Sequence, residues 1–427
     1  MRNFLKQLLT DKKVLILGFG REGKSTLNVL KEINTFSELA IADMKPVTSL
    51  DNESIKTYYG DNYLDCIDDY DVIFKSPGIA LQKPRDQYKG FVTSQTELFL
   101  KLFANQTVGI TGTKGKSTTS SLTYHALKSN GIDCVFAGNI GIPVFDMLDE
   151  ISEKTTVVLE MSCHQLEYID TAPHVAVLLN LYEDHLDRYK TFEHYSDIKR
   201  NIYKLQKPED VLFCNFDFKP QPGWCLSQVH YIDVNALPVG AEKATTLKGQ
   251  HNLFNVAVAY EICKLFNVKD EDFVACLPSF EPLTHRLQFV GKVDGIEYYD
   301  DSISTTVQSA ISAMNSIKNA GTILIGGMDR GIDYTELINY LLNCTLDDVV
   351  FMYDSGKRIF ESIKNMPKNT KANFAYLPDL KSAVDYAKKN TKQGKACILS
   401  PAAASYGVFK NFEERGDVFQ SYVLTNK

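Results

Sequence analysis

Two glycine-rich turns are the first places where this chain has residues suited to chemistry. Gly18-Phe19-Gly20-Arg21-Glu22-Gly23 follows the apolar run Val14–Leu17, and Asp43 lies 20 residues beyond Gly23. Glycines at this spacing permit a tight turn and close backbone approach, and a helix N-terminus behind them offers N–H groups to a diphosphate. An acidic residue at the Asp43 distance can accept from a ribose hydroxyl. The pattern does not distinguish NAD from another nucleotide diphosphate, and the same turn could serve helix–sheet packing alone.

The second turn, Gly109-Ile110-Thr111-Gly112-Thr113-Lys114-Gly115-Lys116-Ser117-Thr118, ends in the GKST of a phosphate-binding loop, although its earlier glycines sit at 109 and 112. In such a loop the amides of Gly112 to Thr118 cradle phosphates, Lys116 neutralises the β and γ oxygens, and Ser117 reaches Mg²⁺. Glu160, closing the apolar run Val157–Leu159, is a further hard oxygen donor suited to Mg²⁺. Taken alone, Glu160 could equally be a solvated strand end and His185 a surface histidine. Lys199 by itself reads as a solvated lysine in a polar helical stretch.

These residues need a frame, and the chain supplies repeated strand–helix units. Leu39–Ala42 and Val72–Phe74 follow the first run, and Val157–Leu159 and Val175–Leu179 recur after the second glycine turn. Helical periodicity spans Asn252–Phe266, a linker is expected over 277–282, and Thr322–Ile325, Val349–Met352 and Cys397–Leu399 form a last block. Strands alternating with helices imply parallel sheets whose carboxyl ends bind ligands. The fold class is therefore α/β, with three α/β domains in series: residues 1–104, 105–282 and 283–427.

Composition narrows the function. With 46 Lys plus Arg against 53 Asp plus Glu, the net charge is −7, which argues against a nucleic-acid partner that needs a basic surface. No apolar run approaches the roughly 18–20 residues of a membrane span, so membrane insertion is not expected. The start MRNFLKQLLTDKK lacks an apolar core and cleavage site, and the nine cysteines are scattered without a CxxC pair. Both point to free thiols in the cytoplasm.

The string GITGTKGKSTT resembles the ATP loop of the Mur ligase family, and the resemblance continues in order along the whole chain. Gly138-Asn139-Ile140-Gly141 is similar to its GNIG turn, Glu160–Glu167 (EMSCHQLE) to its ExSSFQLE segment, and Asn180 with Glu183–Arg188 to NxxxDHLDR. Gly249–Asn255 resembles GxHNxxN, His285-Arg286 the HR pair, and Ser400–Ser405 with Phe409–Gly416 the C-terminal SPA…S…FxxFxxRG. The D-glutamate-adding branch is the nearest.

This resemblance implies an ATP-dependent amide ligase of peptidoglycan precursor synthesis, acting through an acyl phosphate on UDP-N-acetylmuramoyl-L-alanine and glutamate, with these small molecules as its partners and a monomer as its state. It implies two Mg²⁺ ions held by Ser117, Glu160, His185 and a carbamoylated Lys199. Lys116, Arg286 and Asp301 complete the implied catalytic set, and Asn252, Asn255, Arg286 and Asp301 would hold the nucleotide. The first domain would take UDP through Gly20, Arg21, Glu22, Asp43 and Gly78, while Asn139, Ser162 and Gln165 would face the sugar and its peptide arm. Thr305, Arg330, Ser405, Tyr406 and Phe412 would receive glutamate. One departure bears on chirality: Asp301-Ser302-Ile303-Ser304-Thr305-Thr306 stands where that branch has DSKATN, so Ile303 replaces a cation, and L-glutamate is the alternative substrate.

Overall fold

Short, wholly apolar runs bounded by glycine, proline and acidic residues make strands buried on both faces. The computed structural model describes residues 1–47, 55–139, 142–247, 249–281 and 284–425. Its first sheet contains β1 (Lys13–Leu17), β2 (Glu38–Asp43), β3 (Lys56–Tyr59), β4 (Val72–Lys75) and β5 (Phe91–Thr93), all parallel, in the order β3-β2-β1-β4-β5. The strand order reverses at β1, so the turn at Gly18 opens at the crevice where such sheets bind ligands.

The second sheet is also parallel. It contains β6 (Thr107–Thr111), β7 (Cys134–Gly138), β8 (Thr156–Glu160), β9 (Val175–Leu178), β10 (Val211–Cys214) and β11 (Gln228–Tyr231), in the order β11-β10-β9-β6-β8-β7. Because β6 lies between β8 and β9, the phosphate-type loop after β6 is flanked by Glu160 at the end of β8 and Asn180 just past β9. Three segments remote in sequence thus deliver their polar residues to one edge.

The third sheet runs β12-β13-β17-β14-β15-β16, from β12 (Gln288–Val293), β13 (Ile296–Asp300), β14 (Ala320–Ile325), β15 (Asp348–Met352), β16 (Asn373–Leu377) and β17 (Ala396–Leu399). It is parallel except for the β12–β13 hairpin, whose turn residues Asp294 and Gly295 both take positive φ, 50° and 79°. Two left-handed residues are what a two-residue hairpin turn requires.

The chain divides into two compact units. One comprises Met1–Thr245 with Phe254–Phe280 and carries the first two sheets; the other comprises Thr246–Leu253 with Glu281–Lys427 and carries the third. In the first unit one apolar cluster runs through both sheets, from Val14, Ile16 and Phe74 to Phe145, Val157 and Leu178. In the second, Ile323, Ile325, Val349 and Phe351 on one sheet face and Leu324, Val350 and Leu399 on the other build two layers. Among the described residues no helix is long and apolar enough to cross a membrane. Ile140 and Gly141 of the GNIG turn, and Pro282 in the expected linker, lie outside the described residues.

Candidate active site

In the first unit the site is built on the carboxyl ends of β6, β8 and β9. The helix Lys116–Ser129 starts at Gly115, whose φ of +87° and whose separation of 2.7 Å between a hypothetical Cβ and Asn255 Oδ1 both exclude a side chain. Asn180 braces the loop: its Oδ1 accepts from the Lys114 amide at 2.8 Å and its Nδ2 donates to the Lys114 carbonyl at 3.0 Å. Thr113 Oγ1 accepts from the Tyr182 amide and meets the Tyr195 hydroxyl at 3.0 Å. Ser117 and Thr118 are buried at the helix start.

Two lysines converge on this loop. Lys116 Nζ donates to the carbonyls of Gly112 and Thr113 at 2.9 and 3.0 Å, and Lys199 Nζ donates to the same Gly112 carbonyl at 2.9 Å. Lys199 projects from the helix Phe192–Lys204 and is 1% exposed. Burial, then repulsion by Lys116, pushes its ammonium down to about 7. An amine so placed is largely uncharged just above neutrality and can act as a nucleophile.

Glu160 is fully buried at the end of β8. Its Oε1 accepts from Asn139 Nδ2 at 2.9 Å, whereas its Oε2 has no hydrogen-bond partner. A buried carboxylate oxygen left without a donor is costly, and its chemistry, a hard anionic oxygen beside a phosphate-type loop, fits Mg²⁺.

His185 adopts a left-handed backbone, φ +52°, which non-glycine residues visit only at a cost of about 1–2 kcal/mol. Its ring packs against His164 (centroids 4.9 Å apart) and Tyr195 (6.3 Å). His164, partly buried and facing Arg188, His185, Lys75 and Lys199, is pushed down to about 3, chiefly by desolvation. The side chains of Leu186 and Asp187 are not among those described.

The turn after β1 joins the same edge. A Cβ at Gly23 would lie 2.1 Å from the Gly18 carbonyl oxygen, so the helix Arg21–Ile33 can begin this close to the strand only with glycine there. Asp43 braces the turn, Oδ2 accepting from the Phe19 amide at 2.6 Å and Oδ1 from Lys45 at 2.9 Å. Glu22, in the first turn of the helix, accepts from Gln165 Nε2 at 2.8 Å. Gln165 belongs to a reciprocal cap with Ser162 at the start of the helix Cys163–Leu166. Burial pushes the Glu22 carboxyl up to about 7, against the pull of Gln165 and Lys75. Gly20, Arg21, Gly78 and Asn139 are exposed, while Ser162 is buried.

Two residues that sequence reasoning did not assign belong to this rim. Arg188 donates to the carbonyls of Pro77, Gly78 and Ile79 at 3.0–3.2 Å and pairs with Glu167 at 2.6 Å, tying the loop after β4 to the second sheet. Lys75 lies in a narrow cleft with Pro77, Ser94, Gln165 and Tyr168, and burial lowers it to about 8. The available signal was position: Lys75 ends an apolar strand, and Arg188 closes the DHLDR string.

The second unit gathers its own set. Asp301, just past β13, is buried and accepts from the Leu287 amide, Ser400 Oγ and Ser304 Oγ; burial raises it to about 6 despite these bonds and Arg286. His251 also feels the Arg286 charge. Asn252 lies in this unit on the segment 246–253, whereas Asn255 belongs to the first unit, where its Oδ1 accepts from Thr119 Oγ1 at 3.1 Å. Ser302 Oγ donates to the Phe412 carbonyl at 2.8 Å, and the Met328 amide donates to the Ala404 carbonyl at 2.8 Å. These bonds tie the segments that follow β13 and β14 to the C-terminal stretch 404–412. Ser405 is buried, while Arg330 and Tyr406 are exposed. Ile303, partly buried, donates its amide to the His285 carbonyl and presents no charge.

Residues 110–224 match the Mur ligase middle domain and residues 285–403 the Mur ligase glutamate ligase domain. A UDP-N-acetylmuramoylalanine–D-glutamate ligase from Clostridium botulinum (strain Hall) is 30% identical, with 98% of each chain covered. The chain belongs to the Mur ligase family. The ligase of the same name from Clostridium kluyveri is 29% identical over 99% of each chain. Among solved structures, the fold is similar to MurF ligase from Thermotoga maritima in complex with ADP (TM-score 0.60, 17% identity, 98% of this chain and 96% of that one). It is also similar to the UDP-N-acetylmuramate–alanine ligase MurC from the same organism (TM-score 0.56, 17% identity, 96% and 98% covered). As a member of this family the protein is a ligase.

Proposed function

We propose that this ligase joins UDP-N-acetylmuramoyl-L-alanine to D-glutamate with hydrolysis of ATP to ADP and phosphate. The observation that carries the reading is the edge of the second sheet, where Lys116 and Lys199 share the Gly112 carbonyl within reach of a buried carboxylate, Glu160, that has an unsatisfied oxygen. A carboxylate is a poor acyl donor because its oxide is a strongly basic leaving group. Transfer of the ATP γ-phosphoryl group to the alanyl carboxylate converts that oxide into phosphate, which the glutamate amine then displaces to form the amide. The relatives named D-glutamate ligases support the choice of amino acid.

Each group has a part in that route. Lys116 leaves the Gly112 and Thr113 carbonyls to meet the transferring phosphoryl group, where a preorganised cation is worth most. Mg²⁺, held by Ser117 and Glu160 and, for a second ion, by His185 and Lys199, would neutralise phosphate charge. Lys199 fits that role as a carbamate: its neutral amine attacks CO₂, one proton leaves, and a cation becomes an anionic oxygen ligand. At the first turn, the helix Arg21–Ile33 directs its N-terminal amides to the UDP diphosphate, and below about pH 7 a protonated Glu22 leaves that anion site unopposed. In the second unit, Asp301 and Arg286 serve the nucleotide, with Thr305, Arg330, Ser405, Tyr406 and Phe412 around glutamate.

The test is phosphate release with ATP, Mg²⁺ and UDP-N-acetylmuramoyl-L-alanine, run in parallel with D- and L-glutamate. Release with D-glutamate that falls by at least about 100-fold in Lys116→Ala supports the proposal. No release with either enantiomer refutes it. Release with L-glutamate alone would support the second reading, which Ile303 favours by removing a cation from the amino-acid side.

A further inference from the structure

At the rim of this site stands a donor set of a different character from the oxygen ligands of Mg²⁺. One thiol and two imidazoles, from Cys163, His164 and His185, lie with their ligand atoms all within 4.8 Å of one another. Cys163 Sγ is 3.8 Å from His164 Nδ1. A tetrahedral zinc with Zn–S about 2.3 Å and Zn–N about 2.0–2.1 Å would set these two atoms about 3.6 Å apart, so the pair already stands close to ligating geometry. A sulfur–nitrogen set selects borderline and soft cations such as Zn²⁺ over Mg²⁺.

The surroundings point the same way. Cys163 is buried, His164 partly buried and His185 exposed, so the cluster is closed below and open on the His185 side, where an ion can enter. The Tyr189 ring stacks against His164, and its hydroxyl, 2.5 Å from His164 Nδ1, engages the nitrogen that faces Cys163, so an ion binding there displaces this hydrogen bond. His185 Nε2 has Asp184 Oδ1 at 4.0 Å, close enough to add favourable charge to a bound cation. The two donors Cys163 and His164 also stand where the resembling ExSSFQLE segment has serine and phenylalanine, so neither is demanded by that segment.

We propose that Cys163, His164 and His185 form a site for Zn²⁺ or a similarly soft divalent ion. Occupancy engages His185 and thereby withdraws it from the second Mg²⁺ site, so the ion inhibits ligation. The binding part stands independently of the proposed function, and only the inhibition rests on it.

The experiment uses the full chain, freed of metal with a chelator, and titrates Zn²⁺ against a chromophoric indicator. Co²⁺ is then titrated with its absorption spectrum recorded. One Zn²⁺ per chain is expected in the unsubstituted protein and in Cys225→Ser, a control at a cysteine outside the cluster. Affinity should fall by more than about 100-fold in Cys163→Ser and in His164→Phe, since loss of even an outer-shell partner costs about 10–100-fold. A thiolate-to-Co²⁺ charge-transfer band should appear and be absent in Cys163→Ser. Zinc affinity unchanged by both substitutions, or a Co²⁺ spectrum without the thiolate band, would overturn the site. Zinc-dependent loss of phosphate release should be much weaker in His164→Phe than in the unsubstituted chain. Equal loss in both would overturn the inhibitory role, and a chain that releases no phosphate at all would refute the ligase reading while the metal titration still decides the site.

Discussion

Replacing Glu22 by glutamine should change how the stability of the first unit depends on pH. The Glu22 carboxyl is raised from an ordinary 4.5 to about 7, chiefly by burial. Between those values the folded chain holds a proton that the unfolded chain has released, so this group favours folding fully at low pH and loses that contribution as pH rises through about 7. At 1.36 kcal/mol per pH unit the full cost of ionising the buried carboxyl is about 3 kcal/mol. Glu22 is only partly buried, which reduces the expected loss between pH 5 and pH 7.5 to about 2 kcal/mol. Glu22→Gln carries no such proton, and its amide oxygen can still accept from Gln165 Nε2, so its stability should lack this slope. The single tryptophan, Trp224, lies in the first unit beneath Lys204, 4.1 Å above its ring, and so reports the unfolding of that unit. Urea titrations followed by its fluorescence should show the variant overtaking the unsubstituted protein by roughly 0.7–1 M in midpoint between pH 5 and 7.5, for a slope of about 2–3 kcal/mol/M. Parallel pH profiles for the two proteins would refute the burial argument.

The remaining expectations concern the edge of the second sheet. With its ammonium lowered to about 7, Lys199 is mostly free amine at pH 7.5, where an ordinary lysine is about 0.1% free. Incubation with ¹³C-bicarbonate should therefore give a carbamate resonance that is lost in Lys199→Ala and fades below pH 6; its absence at pH 8 would remove the carbamate from the mechanism. Glu160→Gln keeps an acceptor for Asn139 but loses the anionic oxygen, so the Mg²⁺ concentration for half-maximal phosphate release should rise by about 10-fold or more with little change in unfolding midpoint. An unchanged Mg²⁺ requirement would count against Glu160 as a ligand.

Much of the frame was legible because parallel strands buried on both faces are short apolar runs. Val14–Leu17, Leu39–Ala42, Val157–Leu159, Val175–Leu179 and Thr322–Ile325 all lie in strands or reach just past their ends. β3 (Lys56–Tyr59) and β12 were not, because each is at a sheet edge and half-exposed, with Lys56, Lys292 and similar residues breaking the apolar signal. The β12–β13 hairpin had one local mark, Asp294-Gly295, and β13 matters because it delivers Asp301.

The site divides along the same line. Spacing within one segment was enough for the two glycine turns, for Lys116 at the head of its helix and for Glu160 at a strand end, since these depend on the few residues around them. Local spacing carries no information about which distant segments share an edge. The order β9-β6-β8 brings Asn180, the phosphate-type loop and Glu160 together, and it is the packing of the helix Phe192–Lys204 against that edge that turns Lys199 from a solvated lysine into a buried amine. The bond from Gln165 to Glu22 spans 143 residues, and the contact of His164 with His185 joins the helix Cys163–Leu166 to a loop. Residue types and local turns are properties of the sequence by itself; burial and long-range proximity arise only when distant segments pack within each unit, and those decide which of these groups are charged and what they can bind.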